Sequence, residues 1–271
     1  MPTFHTPEPI SADVEVVAGV VRVSASDRAD TVVEVAPRDP NRPSDVRIAE
    51  QARIDYRDGA LTVSAGRRML SLGRGGAVRI DIALPTGSRL KVATASADTE
   101  AVGSYSDCRF ATASADVRID TVTGNIKADS ASGDVAVDSL VGDARIATAS
   151  GDARIDHVEG DVTFQAASGN LSVGTMRGSL KVQAASGSVS VAVAAAGALS
   201  AHTSSGEVEV GIPEGTAARL ELMTGSGSVD NRLAASDGPA VGDETLMVHA
   251  RTGSGDITIR RATPAPAGRN S

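Results

Sequence analysis

Aspartate is the residue whose type and spacing most suggest chemistry in this chain. Asp98, Asp116, Asp134 and Asp152 stand at one constant interval, and the series runs on as Asn170 and Ser188. Asp120, Asp138 and Asp156 repeat at the same interval, as do Asp143 and Asp161, which Asn125 and Ser179 flank. Carboxylates in register could bind calcium, as tandem nonapeptide repeats do at Gly-Gly-x-Gly-x-Asp turns. Asp116, Asp134, Asp152, Asp143 and Asp161 are the candidate ligands. Against the metal, each unit here has a single Gly before its Asp. The first series also passes into Asn and Ser, which share turn formation with Asp and not charge. Carboxylates stacked at the strand spacing of about 4.8 Å repel by roughly 1 kcal/mol per pair even in water. Cations, the nearby Arg118, Arg145 and Arg154, or local hydrogen bonds must offset that repulsion.

Other reactive types are weaker candidates. Serine recurs at 96, 114, 132, 150, 168 and 186, but without a matched base it reads as a turn hydroxyl bonding backbone. His5, His157, His202 and His249 stand far apart, with no spacing suited to a metal site or a triad. Cys108, the single cysteine, excludes an internal disulfide and reads as a small buried hydrophobe. Gly73-Arg-Gly-Gly76, after Arg67-Arg68, lacks the Gly-Lys-Ser/Thr ending of a phosphate loop and reads as a basic hairpin tip. A carboxylate pair for glycosidase chemistry would want sugar-stacking rings beside it, and the chain has only Phe4, Tyr56, Tyr105, Phe110 and Phe164. No catalytic, cofactor-binding or metal residue is therefore assigned, and no cofactor is expected.

The elements that must position these residues follow from a repeat. Gly124, Gly133, Gly142, Gly151, Gly160, Gly169, Gly178 and Gly187 are nine residues apart without a break. Each Gly precedes a polar residue and then an apolar-x-apolar run, as in Gly151-Asp-Ala-Arg-Ile155. The run is the period-two pattern of a half-buried strand, and Gly with Asp or Asn is turn chemistry. Ala-Ser-Gly corners, with Ser114, Ser132, Ser150, Ser168 and Ser186, alternate with Val-x-Gly corners, so the full period is 18. These features predict an all-β parallel solenoid (β-helix) whose two-sided 18-residue coil is built from nine-residue half-coils. The preference of parallel crossovers for the right hand makes it right-handed. Inward positions are expected at Val117, Ile119, Val122, Ile126, Ala128 and Ala131, then at Val135, Val137, Leu140, Ala144, Ile146 and Ala149. With 2% aromatic residues, that core must be Val, Ile, Leu and Ala.

Residues 1–88 lose the nine-residue beat and read as a β-rich N-terminal segment of hairpins, a cap and first coils. Asp58-Gly59 marks a hairpin, Pro37 to Pro43 a loop, and Ser44 to Gln51 a helical turn opened by a Ser cap. The repeat domain is 89–260, and 261–271 is an Ala/Pro/Gly-rich disordered tail. The serine interval grows to 21 and then 28 after Ser205, where loops around Asn231 to Gly242 are expected to block the C-terminal end. A net charge of −8 argues against nucleic acid as a partner, and no apolar run is long enough for a membrane span. Without a signal-peptide pattern at the start, a cytoplasmic location is expected, with a surface location requiring another export route.

Phe4-His-Thr-Pro-Glu-Pro-Ile10, Val17-Ala-Gly-Val-Val-Arg-Val23 and the tandem Ala-Ser-Gly-Asp units resemble the bacterial putative-adhesin family of β-strand-repeat proteins, a domain of unknown function. The resemblance covers roughly residues 10–260. It implies a β-solenoid with a surface or adhesive role and brings no catalytic residues. The expected function is thus a non-enzymatic scaffold or adhesin-like protein. It would bind an unknown protein or surface partner through flat faces or coil ends, as a monomer or limited homo-oligomer. A calcium-binding repeat module is the alternative, and a β-helix carbohydrate-active enzyme the second.

Overall fold

The computed structural model describes residues 1–66, 75–234 and 244–262. They form one large, mostly parallel sheet of 21 strands with a single short helix, Pro43–Glu50. Arg67, Arg68, Gly73, the stretch 235–243 and nearly all of the tail lie outside the described residues.

Two ladders carry the repeat, with pairing offsets that match the sequence period. In the first, Cys108–Thr112, Ile126–Ser130, Ala144–Thr148 and Val162–Ser168 pair in parallel, each offset from the next by one full repeat. In the second, Val117–Val122, Val135–Val141 and Ala153–Glu159 do the same. Longer strands run through both: the halves of Leu171–Ser186 continue the two ladders separately. At Met176/Arg177 the register slips by one, because Ala195 is an extra residue on the facing strand Val189–Ser205.

Alternation places Val117, Ile119, Val122, Ile126 and Ala128 in the core, with Val135, Val137, Leu140, Ala144 and Ile146 after them. Ala131 and Ala149 are exposed, contrary to the sequence expectation. The period-two count from Ile126 and Ile146 brings Ser130 and Thr148 inward and turns the following alanine out. The core is also not free of rings. Tyr105, Phe110 and Phe164 are fully buried, with Ala128 beside Phe110 giving it room.

Both ends break the sequential order. Ser11–Ser26, the first long strand, lies between Arg89–Tyr105 on one side and Ala60–Ala65 with Val78–Pro85 on the other. Beyond it, Arg53–Arg57 closes Ala60–Ala65 in an antiparallel hairpin, and Asp30–Pro37 pairs antiparallel with Val78–Pro85. The hairpin turns at Asp58 and Gly59, whose φ of 50° and 76° are the left-handed pair of a type I′ turn. The helix differs from its expected start. It opens at Pro43 with Arg42 as a cap that makes no side-chain bond, since proline needs no N–H partner in a first turn. Its Asp45 is buried and accepts N–H bonds from Asp39 and Ala77. These bonds outweigh desolvation and hold the carboxyl below its ordinary range.

At the other end the chain overshoots and returns. Glu244–Ser254 sits between Val189–Ser205 and Thr216–Ser226, and Ile257–Arg261 sits between Val208–Ile212 and Val229–Asn231. The last strands are therefore interior, and Thr216–Ser226 is the outermost strand of its ladder among the described residues. The long intervals after Ser205 record this detour.

Candidate binding faces and their ladders

Each Asp of the first series is bonded to the next. The backbone N–H of Asp116 donates to Oδ1 of Asp98 (3.2 Å), Asp134 to Asp116 (3.1 Å) and Asp152 to Asp134 (2.9 Å). Asn170 donates to Asp152 (2.7 Å) and Ser188 to Asn170 (2.9 Å), so the amide takes over the carboxylate's part without a break. Asp143 and Asp161 behave alike, accepting from the N–H of Asp161 and of Ser179. This offsets the repulsion that the sequence poses: a side-chain acceptor satisfies a backbone donor one repeat away, wherever neighbouring repeats leave an N–H outside the ladder. The series of Asp120, Asp138 and Asp156 departs from this, and Asp120 accepts from the N–H of Gly103 on the preceding repeat. Asp138 has the most crowded position. Desolvation and the charges of Asp120 and Asp156 raise its pKa, while Arg154 pairs with Asp156 (2.7 Å).

The corners beside these carboxylates are held by a hydroxyl that sequence reasoning placed two residues too late. Oγ1 of Thr112 accepts from the N–H of Ala115, Oγ of Ser130 from Gly133 and Oγ1 of Thr148 from Gly151, at 2.8 to 3.0 Å. Ser114, Ser132 and Ser150 are exposed at the same corners and pair through their backbone N–H with the alanine carbonyl of the preceding repeat. A hydroxyl three residues before each Gly or Ala was the available signal. Ala115 serves at the first of these corners, but at Gly133 and Gly151 the backbones approach so closely that glycine is required. A Cβ at Gly133 would lie 1.8 Å from the carbonyl oxygen of Ala115. At the opposite corner Gly160 has φ 144°, and its Cβ would lie 2.1 Å from the oxygen of Gly142.

Cys108 is buried, and desolvation first, then the charge of Asp107, pushes its thiol up to about 12, which leaves it without thiolate character. His157 is exposed and His5 stands on the edge strand Thr3–His5. His202 and His249, far apart in sequence, meet with ring centroids 5.2 Å apart because Glu244–Ser254 inserts beside Val189–Ser205. Desolvation and the neighbouring His249 lower the pKa of His202. Among the described residues no group of three or more His, Cys, Asp or Glu is placed to hold a metal ion.

Sequence reasoning also missed a basic column. On the outer side of the first ladder, Lys91, Arg109, Lys127 and Arg145 occupy consecutive paired positions, followed by Thr163 and Lys181. All three lysines of the chain fall in this column. Two residues away, Asp107, Asn125, Asp143 and Asp161 run parallel to it. A groove of about 760 Å³ follows both rows, floored by Leu90, Ile126 and Ala144. On the second ladder the matching outward column is mixed: Glu100, Arg118, Ala136, Arg154 and Ser172.

Long parallel ladders, locked corners and charge laid out in rows define a β-strand-repeat protein. The chain belongs to the Toastrack DUF4097 family, whose model matches residues 12–260. No curated protein matches the chain. Among solved structures, a putative lipid binding protein from Parabacteroides distasonis is 11% identical, covering 97% of this chain and 96% of its own, with a TM-score of 0.44. A putative cell adhesion protein from Clostridium sporogenes is 12% identical, with 96% and 98% covered and a TM-score of 0.26. A putative adhesin from Bacteroides fragilis is 13% identical, with 95% of each chain covered and a TM-score of 0.27. No helix among the described residues is long and apolar enough to cross a membrane.

Proposed function

We propose that the protein is a non-enzymatic scaffold that binds a protein or surface partner through its flat faces or its ends, as a monomer or limited homo-oligomer. In this reading the ladders wind as a right-handed, two-sided solenoid of 18-residue coils. Residues 1–88 serve as cap and first coils, 89–260 as the repeat body and 261–271 as a tail. The observation that carries it is the use made of the aspartates. Oδ1 of Asp98, Asp116, Asp134 and Asp152 each accepts a backbone N–H of the next repeat, so these carboxylates act as parts of the framework. Calcium competes for the same residues, and calorimetric titration decides between the two. The scaffold reading expects no saturable heat and an unchanged melting temperature with Ca²⁺. Stoichiometric binding that Asp116→Asn and Asp134→Asn abolish would replace it with the calcium-binding module.

A further inference from the structure

The two outer faces differ in a way that folding does not require. Any polar residue serves at an outward strand position, and the second ladder uses a mixture of charges, Ala and Ser. The first ladder instead gathers every lysine of the chain, with Arg109 and Arg145, into one line, and a groove follows that line from Lys91 to Arg145. Stacking like charges one strand spacing apart costs repulsion, so the line is a feature that stability alone does not select. Lys91 and Lys127 are neutralised locally by Asp13 and Asp129. Arg109 and Arg145 have no ion pair among the described residues, and both are exposed. They stand two repeats apart, about 9.6 Å at the parallel strand spacing.

We propose that this groove binds an acidic polysaccharide lying across the strands, with carboxylates of alternate sugar rings on Arg109 and Arg145. This deepens the scaffold reading and rests on it. The match is geometric and chemical. An extended 1,4-linked chain in which uronic acids alternate with neutral sugars advances by close to one strand spacing per ring and presents a carboxylate to the same side at every second ring, leaving neutral hydroxyls for the other side. A guanidinium receives a carboxylate through two parallel N–H bonds, which a bare point charge cannot do. On the opposite wall Asn125 and Asp143 offer acceptors for sugar hydroxyls, while Asp107 is engaged by Arg89 and by the N–H of Asn125. The same wall disfavours a nucleic acid or polyphosphate, whose charge runs along every unit and would meet those aspartates.

The test is calorimetric titration of the full chain with a 1,4-linked hexasaccharide in which uronic acid alternates with neutral sugar, beside its carboxyl-reduced neutral form, a polyphosphate and a single-stranded oligonucleotide. Binding of the acidic hexasaccharide alone is expected, weakened about tenfold by either Arg109→Ala or Arg145→Ala. Arg118→Ala with Arg154→Ala, on the other ladder, should leave it unchanged and so controls for general loss of charge. Circular dichroism melts confirm that each variant is folded. No binding, equal binding of polyphosphate or oligonucleotide, or equal loss with the control pair overturns the proposal. Self-association that Arg109→Glu abolishes would also overturn it, assigning the groove to a second copy while the scaffold reading stands. New reducing ends appearing in the acidic hexasaccharide would sink the non-enzymatic reading and leave the site in place.

Discussion

The middle of the molecule and its two ends obey different rules. From Arg89 to Ser205 the order of strands along the chain is their order in space, and each repeat pairs with the one before and after it. At the ends this fails. Ser11–Ser26 and Glu244–Ser254 lie one place inside the stack, with strands from elsewhere in the chain outside them. A strictly periodic sequence encodes one contact, repeat on repeat, and nothing in that contact stops the stack. The ends end it by departing from the period. The N-terminal end turns antiparallel, and the outermost strand at the other end carries Arg219 and Glu221, charges that discourage edge pairing.

The contrast is broken most severely from inside. Ile146→Asp puts an unpaired charge into a fully buried position of the middle, at a cost of several kcal/mol. Thermal melts should show the cooperative transition lost. Leu222→Asp, in the half-exposed outermost strand, should lower the melting temperature by only a few degrees. Equal effects would mean that the ends are as tightly packed as the middle. Removing residues 244–271 comes next, since it deletes interior strands and leaves Val189–Ser205 exposing an edge that now lacks its partner. Light scattering should show a concentration-dependent increase in size. A folded truncation that stays the size of the full chain contradicts the interleaved order.

Smaller effects sharpen the same comparison. Gly133→Ala drives a Cβ into the Ala115 carbonyl and should cost more than Gly59→Ala. Gly59 has open space around it, and only its positive φ resists, at about 1 kcal/mol. Denaturant midpoints of the two variants test this ranking. The smallest effect is electrostatic. Asp138 ionises less readily in the fold, so its contribution is present below the unfolded carboxylate pKa and lost as pH rises through the raised value. Asp138→Asn should therefore melt slightly higher at neutral pH, and the gain should vanish in acid. A variant that melts lower at neutral pH would show the carboxylate to be a net stabiliser there.

Much of this was legible in the residues. The sequence period became the pairing offset, Asp58-Gly59 became the hairpin turn, and Val117 to Ile146 alternated as expected. Other features were not legible because they depend on where a strand lands. Ala131 and Ala149 look apolar and inward until the count is carried from Ile126 through the corner. The basic column, by contrast, was legible but overlooked: Lys91, Arg109, Lys127 and Arg145 keep the same 18-residue interval as the aspartates, masked by a net charge of −8.

The sequence by itself determined the repeat, the strand and corner within it, and the need for glycine where corners meet. These are local or nearest-neighbour properties, written again in every repeat. Tertiary structure alone decided the order of strands at the ends and the meeting of His202 with His249. It also decided the groove that Lys91, Arg109, Lys127 and Arg145 line. A local pattern specifies that a strand will pair. Which edge is still vacant when it does so is a property of the whole stack.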